Sequence, residues 1–137
     1  MLEPNIARLV VAKISEEDLE TLQSFINSEE SDIRNKKKKD IGFHRYLARI
    51  TNNSMLILIV DFIESHLDEI KQSLDLSADF YANVRDAHRR ILECLAAKDP
   101  GGVSAAMAQD VLEVGRYLSN ELDEKAFEPA DFNLAID

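Results

Sequence analysis

The chain has 137 residues, of which 45% are hydrophobic and 7% aromatic, so it is long enough for one domain with a single core. Its net charge is −10, and its one basic run, Lys36 to Lys39, is too short to hold a phosphate backbone, so the chain alone is not expected to bind DNA. Four glycines and three prolines are few, which favours helices over a sandwich or barrel.

Periodic apolar residues predict six helices, and the polar stretches between them set the boundaries. Pro4 suits the first turn of a helix, and Ser15 followed by three acids is typical of a helix start. The run Asp99-Pro100-Gly101-Gly102 is expected to end the fifth helix. The predicted helices cover about residues 4–14, 15–27, 33–51, 54–73, 79–98 and 103–123. The expected fold is all-α, an antiparallel bundle of about six helices.

The fourth predicted helix is apolar almost all round at its start, from Met55 to Val60 and on to Phe62 and Ile63. Such a helix either lies in the centre of a bundle or faces a second chain. We expect it to be central in the bundle, with self-association as a contributing factor. The run is far too short to span a bilayer, so no membrane contact is expected.

The single cysteine, Cys94, lies in an apolar helical segment and is expected to be a buried structural thiol. One cysteine forms no intramolecular disulfide, and no signal peptide opens the chain, so a reducing, cytoplasmic location is expected. His66 is expected on the surface.

Four ionisable residues fall on the apolar stripes of three predicted helices. Asp40 and His44 are four residues apart on the third helix, His88 lies on the fifth, and Asp110 lies on the sixth. Burying one unpaired carboxylate costs several kcal/mol, so each carboxylate needs a partner. A hairpin of the last two helices would place His88 and Asp110 within about one turn of the same level, at about 1.5 Å per residue.

A divalent metal ion would satisfy all four side chains, since two imidazoles and two carboxylates suit Zn²⁺, Ni²⁺, Mn²⁺ or Fe²⁺. The alternative is that each residue has a separate hydrogen-bonding partner in the core. That alternative holds for most single interior histidines or aspartates, but here it would require a separate partner on each of three helices.

The run from Asp40 through Phe43 and His44 to Asn53 resembles the D-x-x-F-H…N signature of the FCD domain. This domain is the ligand-sensing C-terminal domain of the FadR-like branch of GntR-family bacterial transcription regulators. The stretch AHRRILECLAAKDPGGVSAAMAQDVL and the opening LEPNIARLVVAKISEEDLETL are similar to further parts of the family pattern. The resemblance implies an FCD-like effector domain over residues 1–126 and an acidic tail over 127–137. It also implies that an N-terminal winged helix-turn-helix is absent from this chain.

In that family a helical bundle holds a metal through one Asp and three His. The family positions match Asp40, His44 and His88, whereas Asp110 stands where the fourth ligand is usually His. The oxygen-richer set shifts the expected metal from Zn²⁺ or Ni²⁺ toward Mn²⁺ or Fe²⁺.

The resemblance further implies that a small organic acid is the effector and binds the open positions of the metal, with Asn53 of the signature as a ligand-binding residue. Arg49 is a second candidate because it could bind an anionic ligand, although a surface salt bridge is the more common role of such an arginine. Effector binding would shift the helix packing. The protein would act as a homodimer and contact DNA only through the absent N-terminal domain.

The expected function is therefore that of an effector-binding regulatory module rather than an enzyme. The alternative is a metal-dependent hydrolase on a helical bundle, because a metal with an open position can activate water. The sequence offers no His-Asp doublet and no further general base for that chemistry. A metal-free structural or dimerisation bundle is the third hypothesis.

Overall fold

The computed structural model describes residues 4–31, 42–74 and 76–124. This part of the chain is all-α, and no strand occurs in it. The helices are α1 (Pro4–Lys13), α2 (Glu16–Ser31), α3 (Phe43–Ile50), α4 (Ser54–Gln72), α5 (Ala78–Ala96) and α6 (Pro100–Glu124). The predicted all-α bundle of about six helices is confirmed.

The start of α6 differs from the predicted boundary. The segment Pro100-Gly101-Gly102 does not simply end the fifth helix but forms the first turn of α6. Proline is tolerated at this position because its missing N–H has no partner in a first turn. The Asp99 carboxylate accepts a hydrogen bond from the backbone N–H of Gly102 at 3.0 Å and so caps the helix. Lys98, at φ 58°, makes the turn that separates the two helices.

Two further boundaries were predicted around residue 30. The polar stretch 28–32 was expected to break the pattern, but α2 continues to Ser31. The third helix was predicted from about residue 33; residues 32–41 lie outside the described part, and α3 follows Gly42, whose φ of 91° favours glycine. The predicted stop before α4 is confirmed, since the Asn53 side chain caps that helix.

The main core lies between α1, α2, α3, α5 and α6. Its buried apolar residues are Ala7, Val10, Ile14, Leu22, Ile26, Phe43, Leu47, Ile91, Leu92, Leu95, Val103 and Met107. A smaller cluster of Leu74, Phe80 and Leu118 joins the end of α4 to α5 and α6. The main core therefore holds α3, α5 and α6 together, which are the helices that carry the predicted site.

The central position predicted for α4 is wrong, because none of its residues is buried. The covered side of α4 is mixed. Asp61 pairs there with Arg45 and Arg49 of α3, and the half-buried apolar residues of the helix include Leu56, Ile57, Val60 and Leu67. Other apolar side chains face outward, and Phe62 is 68% exposed.

Three smaller expectations concern Cys94, His66 and the membrane. Cys94 is half-buried and unpaired, and burial raises the pKa of its thiol. His66 is exposed, as expected, and its ring stacks on Phe62. Among the described helices, none is both long and apolar enough to cross a membrane.

Candidate metal centre

Three of the four predicted ligands meet inside the bundle. His44 comes from α3, His88 from α5 and Asp110 from α6, and one ligand atom of each lies within 4.8 Å of the others. Asp40 lies outside the described residues. His44 and Asp110 are 66 positions apart in the sequence. They meet because α3, α5 and α6 pack together in the main core.

Asp110 is at the centre of the cluster. Its Oδ2 lies 2.8 Å from Nε2 of His44 and 3.7 Å from Nε2 of His88. The residue is only 3% exposed, and its other oxygen, Oδ1, has no hydrogen-bond partner among the described residues. A buried carboxylate oxygen without a partner is costly, which makes it an acceptor for a cation or a donor not contained in these residues.

Phe43 orients the second imidazole. Its ring stacks on His88 with centroids 4.5 Å apart and an interplanar angle of 2°. The two imidazoles are 5.0 Å apart and nearly perpendicular, at 78°. Neighbouring residues of α3 therefore supply one candidate ligand, His44, and the apolar wall that holds the other. The sequence reasoning did not assign this role to Phe43, although the Phe-His pair was part of the quoted signature.

The comparison with known families agrees with this arrangement. The model of the FCD domain family matches residues 1–112, which include all three clustered residues. The chain belongs to the FCD domain family. FCD domains are effector-binding regulatory domains of GntR-family transcription regulators. No curated protein and no solved structure matches the chain significantly.

The pKa values of His44 and Asp110 depend on each other in this FCD domain. Burial by itself would lower the pKa of His44, but the hydrogen bond and negative charge of Asp110 outweigh it, and the pKa is raised. Burial would raise the pKa of the Asp110 carboxyl, but the hydrogen bond from His44 and the charges of both histidines lower it. On α4, Glu64 raises the pKa of His44 and Lys71 lowers it, both through weaker charge interactions. The pair therefore favours imidazolium and carboxylate in the metal-free protein.

The metal-free FCD domain should be most stable between two pH limits that the pKa values of His44 and Asp110 set. The contribution of His44 is fully present below its ordinary pKa of 6.5 and is lost as the pH rises through the raised value. That of Asp110 is present above 3.8 and is lost as the pH falls through the lowered value. Thermal melts of chelator-treated protein across this range should therefore lose stability at both ends. In Asp110→Asn the loss of stability should be smaller at both ends of the pH range. A melting temperature that changes with pH in the same way in this variant and in wild type would contradict the assignment.

A cavity of about 390 Å³ opens between α5 and α6, and Asp110 forms part of its wall. The other polar and charged residues of the wall are Asn83, Asp86, Arg90, Glu113, Arg116, Tyr117 and Asn120. This volume is within the range of pockets for small ligands. Asp110 therefore belongs both to the cluster with His44 and His88 and to the wall of a cavity that a ligand could enter.

The two predicted ligand-binding residues lie elsewhere. Arg49 donates two hydrogen bonds to the Asp61 carboxylate, at 3.1 and 3.3 Å. The Asn53 side chain accepts a hydrogen bond from the backbone N–H of Leu56 at 3.1 Å. Neither residue lines the cavity. Both have local structural partners, and a role in effector binding stays a prediction.

Proposed function

We propose that this FCD domain senses a small organic acid through a divalent metal ion held by His44, His88 and Asp110. The observation that carries this proposal is the buried Asp110 carboxylate, which lies beside two imidazoles and has one oxygen without a partner. Asp40, four residues before His44, stays the predicted fourth ligand. The hydrogen bond from His44 satisfies only one oxygen of Asp110, whereas a cation would also satisfy the oxygen that has no partner among the described residues.

The donor set fits a divalent transition metal. Two imidazole nitrogens and carboxylate oxygen suit Zn²⁺, Ni²⁺, Mn²⁺ and Fe²⁺. The stacking of Phe43 on His88 fixes one ring before any ion binds, which reduces the ordering needed on binding. When bound, the metal would supply a positive centre to which a carboxylate can coordinate.

The cavity beside Asp110 supports a small acidic ligand. The guanidinium groups of Arg90 and Arg116 belong to its wall, together with two asparagine side chains that can donate hydrogen bonds. Arg90 lies 3.5 Å from Glu113, and both residues are partly exposed. The wall also contains the carboxylates of Asp86 and Glu113, so an anion in this space would depend on the proposed metal for most of its attraction.

Binding would be read out as a change in helix packing. His44, His88 and Asp110 belong to three different helices, so a ligand on their metal pulls on α3, α5 and α6 together. The DNA-binding domain of a whole regulator would respond to that change. This chain, with a net charge of −10, would contact DNA only through such a domain.

Calorimetric titration tests the proposal. Protein stripped with a chelator should bind about one Zn²⁺, Ni²⁺ or Mn²⁺ ion per chain, and His88→Ala should lose most of this affinity because a ligand is gone. His66→Ala is the matched control, since His66 is an exposed histidine on α4. A series of small carboxylic acids should then bind the metal-loaded protein and not the stripped one. Equal metal binding by both variants, or equal acid binding with and without metal, would contradict the proposal.

A metal-dependent hydrolase stays the alternative function. Among the described residues, the carboxylates of Asp86 and Glu113 line the cavity beside Asp110. Hydrolysis would require one of them to act as general base for a metal-bound water.

A further inference from the structure

Arg85 on α5 carries a buried donor that the proposed metal centre does not use. The side chain is half-buried, and its Nε is buried without a hydrogen-bond partner. Among the described residues, the only other buried side-chain atom in this condition is Oδ1 of Asp110. One donor and one acceptor are therefore left unsatisfied, and both belong to helices that supply the metal centre.

The register of α5 places Arg85 on the same side of the helix as His88. Tyr81, Arg85, His88 and Leu92 are separated by four, three and four residues, the spacing of neighbours along one face. His88 and Leu92 are buried, and Tyr81 packs against the smaller apolar cluster. Arg85 therefore belongs to the row of side chains that contains a proposed metal ligand, and not to the exposed side of α5.

The other two arginines of α5 have acidic partners, whereas Arg85 does not. Arg89 lies 3.0 Å from Asp86, and Arg90 lies 3.5 Å from Glu113. Within residues 4–31, 42–74 and 76–124, Arg85 forms no ion pair. An arginine keeps its positive charge in a protein, and a buried charge is costly unless an opposite charge pairs with it. The missing partner is therefore an anion.

We propose that Arg85 binds a second acidic group of the effector, so that the ligand of this domain is a small dicarboxylate. One carboxylate would bind the metal held by His44, His88 and Asp110. The other would accept hydrogen bonds from the Arg85 guanidinium, whose planar fork matches a carboxylate. This inference rests on the proposed function and specifies how many acidic groups the effector carries.

The positions of Arg85 and His88 favour two carboxylates over one. Arg85 precedes His88 by three residues, or about 4.5 Å along the helix axis. Long side chains on a helix lean toward its N-terminus, which takes the guanidinium further from the level of His88. A single carboxylate has both oxygens on one carbon and is too short to reach the metal and the guanidinium together. With C–C bonds of about 1.5 Å, a diacid of about four or five carbons is long enough.

Other charged groups around the cluster already balance one another. On α4, the charges of Glu64 and Lys71 act on His44 with opposite signs. In the cavity wall, two arginines stand beside the carboxylates of Asp86 and Glu113. Arg85 is therefore the position at which a second carboxylate gains most.

Calorimetric titration of the full Zn²⁺-loaded chain with matched acids tests the proposal. Succinate and glutarate should bind at least about tenfold more tightly than butyrate and pentanoate, the monocarboxylates with the same numbers of carbons, because a charged hydrogen bond is gained. In Arg85→Gln this preference should disappear, while the affinities for Zn²⁺ and for butyrate stay as in wild type. Arg85→Lys keeps the charge and should retain part of the preference. Arg116→Gln is the matched control, since it removes an exposed arginine of the cavity wall and should keep the preference.

The outcomes separate this inference from the proposed function. If neither class of acid binds the Zn²⁺-loaded wild type, the proposed function fails and this inference fails with it. If both classes bind wild type equally, the second carboxylate has no partner and only this inference is overturned. The same conclusion follows if Arg116→Gln loses the preference as completely as Arg85→Gln does.

Thermal melts give a readout that a purely structural role would not share. Arg85→Gln removes a buried charge without a partner, so the metal-loaded variant without effector should melt at the wild-type temperature or above it. Added succinate should raise the melting temperature of wild type more than that of Arg85→Gln, because the ligand binds the folded state. A variant that melts clearly below wild type before any acid is added would show that Arg85 stabilises the fold, and would overturn the proposal.

Discussion

Removal of the metal is expected to lower the melting temperature of this FCD domain by roughly 10 °C or more. An ion present at about a thousandfold above its dissociation constant stabilises the folded state by about 4 kcal/mol, because the unfolded chain has no assembled site. For a chain of this size each kcal/mol corresponds to a few degrees. Thermal melts of metal-loaded protein, with and without a chelator, measure the difference.

His44→Ala should abolish most of this dependence. The substitution also removes the 2.8 Å hydrogen bond to Asp110, so the metal-free variant should itself be less stable than wild type. The informative quantity is therefore the change in melting temperature on chelation within each variant. His66→Ala should keep the full wild-type change. A chelator that leaves the melt unchanged, in protein shown to contain metal, would mean that the ion is incidental or that the site is misassigned.

Asp110→His should change which metal this domain prefers. The resemblance predicts that this residue is a metal ligand and that it supplies an oxygen where an imidazole is usual. With Asp40 as a second carboxylate, the predicted site would neutralise the charge of a divalent cation. An anionic effector would then meet less net positive charge than in a site with one carboxylate. Replacing the carboxylate by imidazole makes the site softer and removes one negative charge.

We expect the affinity of Asp110→His for Zn²⁺ or Ni²⁺ relative to Mn²⁺ to rise on the order of a hundredfold, equivalent to about 2.7 kcal/mol. Competition titrations with the stripped protein measure the ratio. Asp79→His, which adds an imidazole at an exposed position in the first turn of α5, is the control for adventitious binding. Unchanged relative affinities in Asp110→His would mean that Asp110 is not a ligand and that the site consists of the other predicted residues.

The candidate site could be predicted from the sequence because its signal is local to each helix. His44, His88 and Asp110 each interrupt an apolar stripe, and a polar side chain in a core register must find a partner. That argument required only helical periodicity, and the structure brings the three residues together. The stacking of Phe43 on His88 could not be predicted in this way, because it depends on how α3 and α5 cross.

The cases of Arg49, Asn53 and Pro100 show a different limit. Arg49 and Asn53 were both given ligand-binding roles, with a surface salt bridge and a helix cap as their alternatives. The structure shows those alternatives, an ion pair with Asp61 and the cap of α4. Pro100 is compatible with either the end of one helix or the first turn of the next. The Asp99 side chain decides between these by capping the backbone N–H of Gly102.

The sequence by itself determined the helical class, the number of helices and the register of the polar residues, because these follow from the period of 3.6 residues within each segment. Only the tertiary structure decided where α4 lies. A helix that is apolar on most sides can pack in more than one way, and its hydrophobicity does not select one face. The covered side of α4 combines half-buried apolar residues with Asp61, which pairs with Arg45 and Arg49, and Phe62 lies on the exposed side. Those ion pairs join residues of separate helices, so they are settled by packing and not by local sequence.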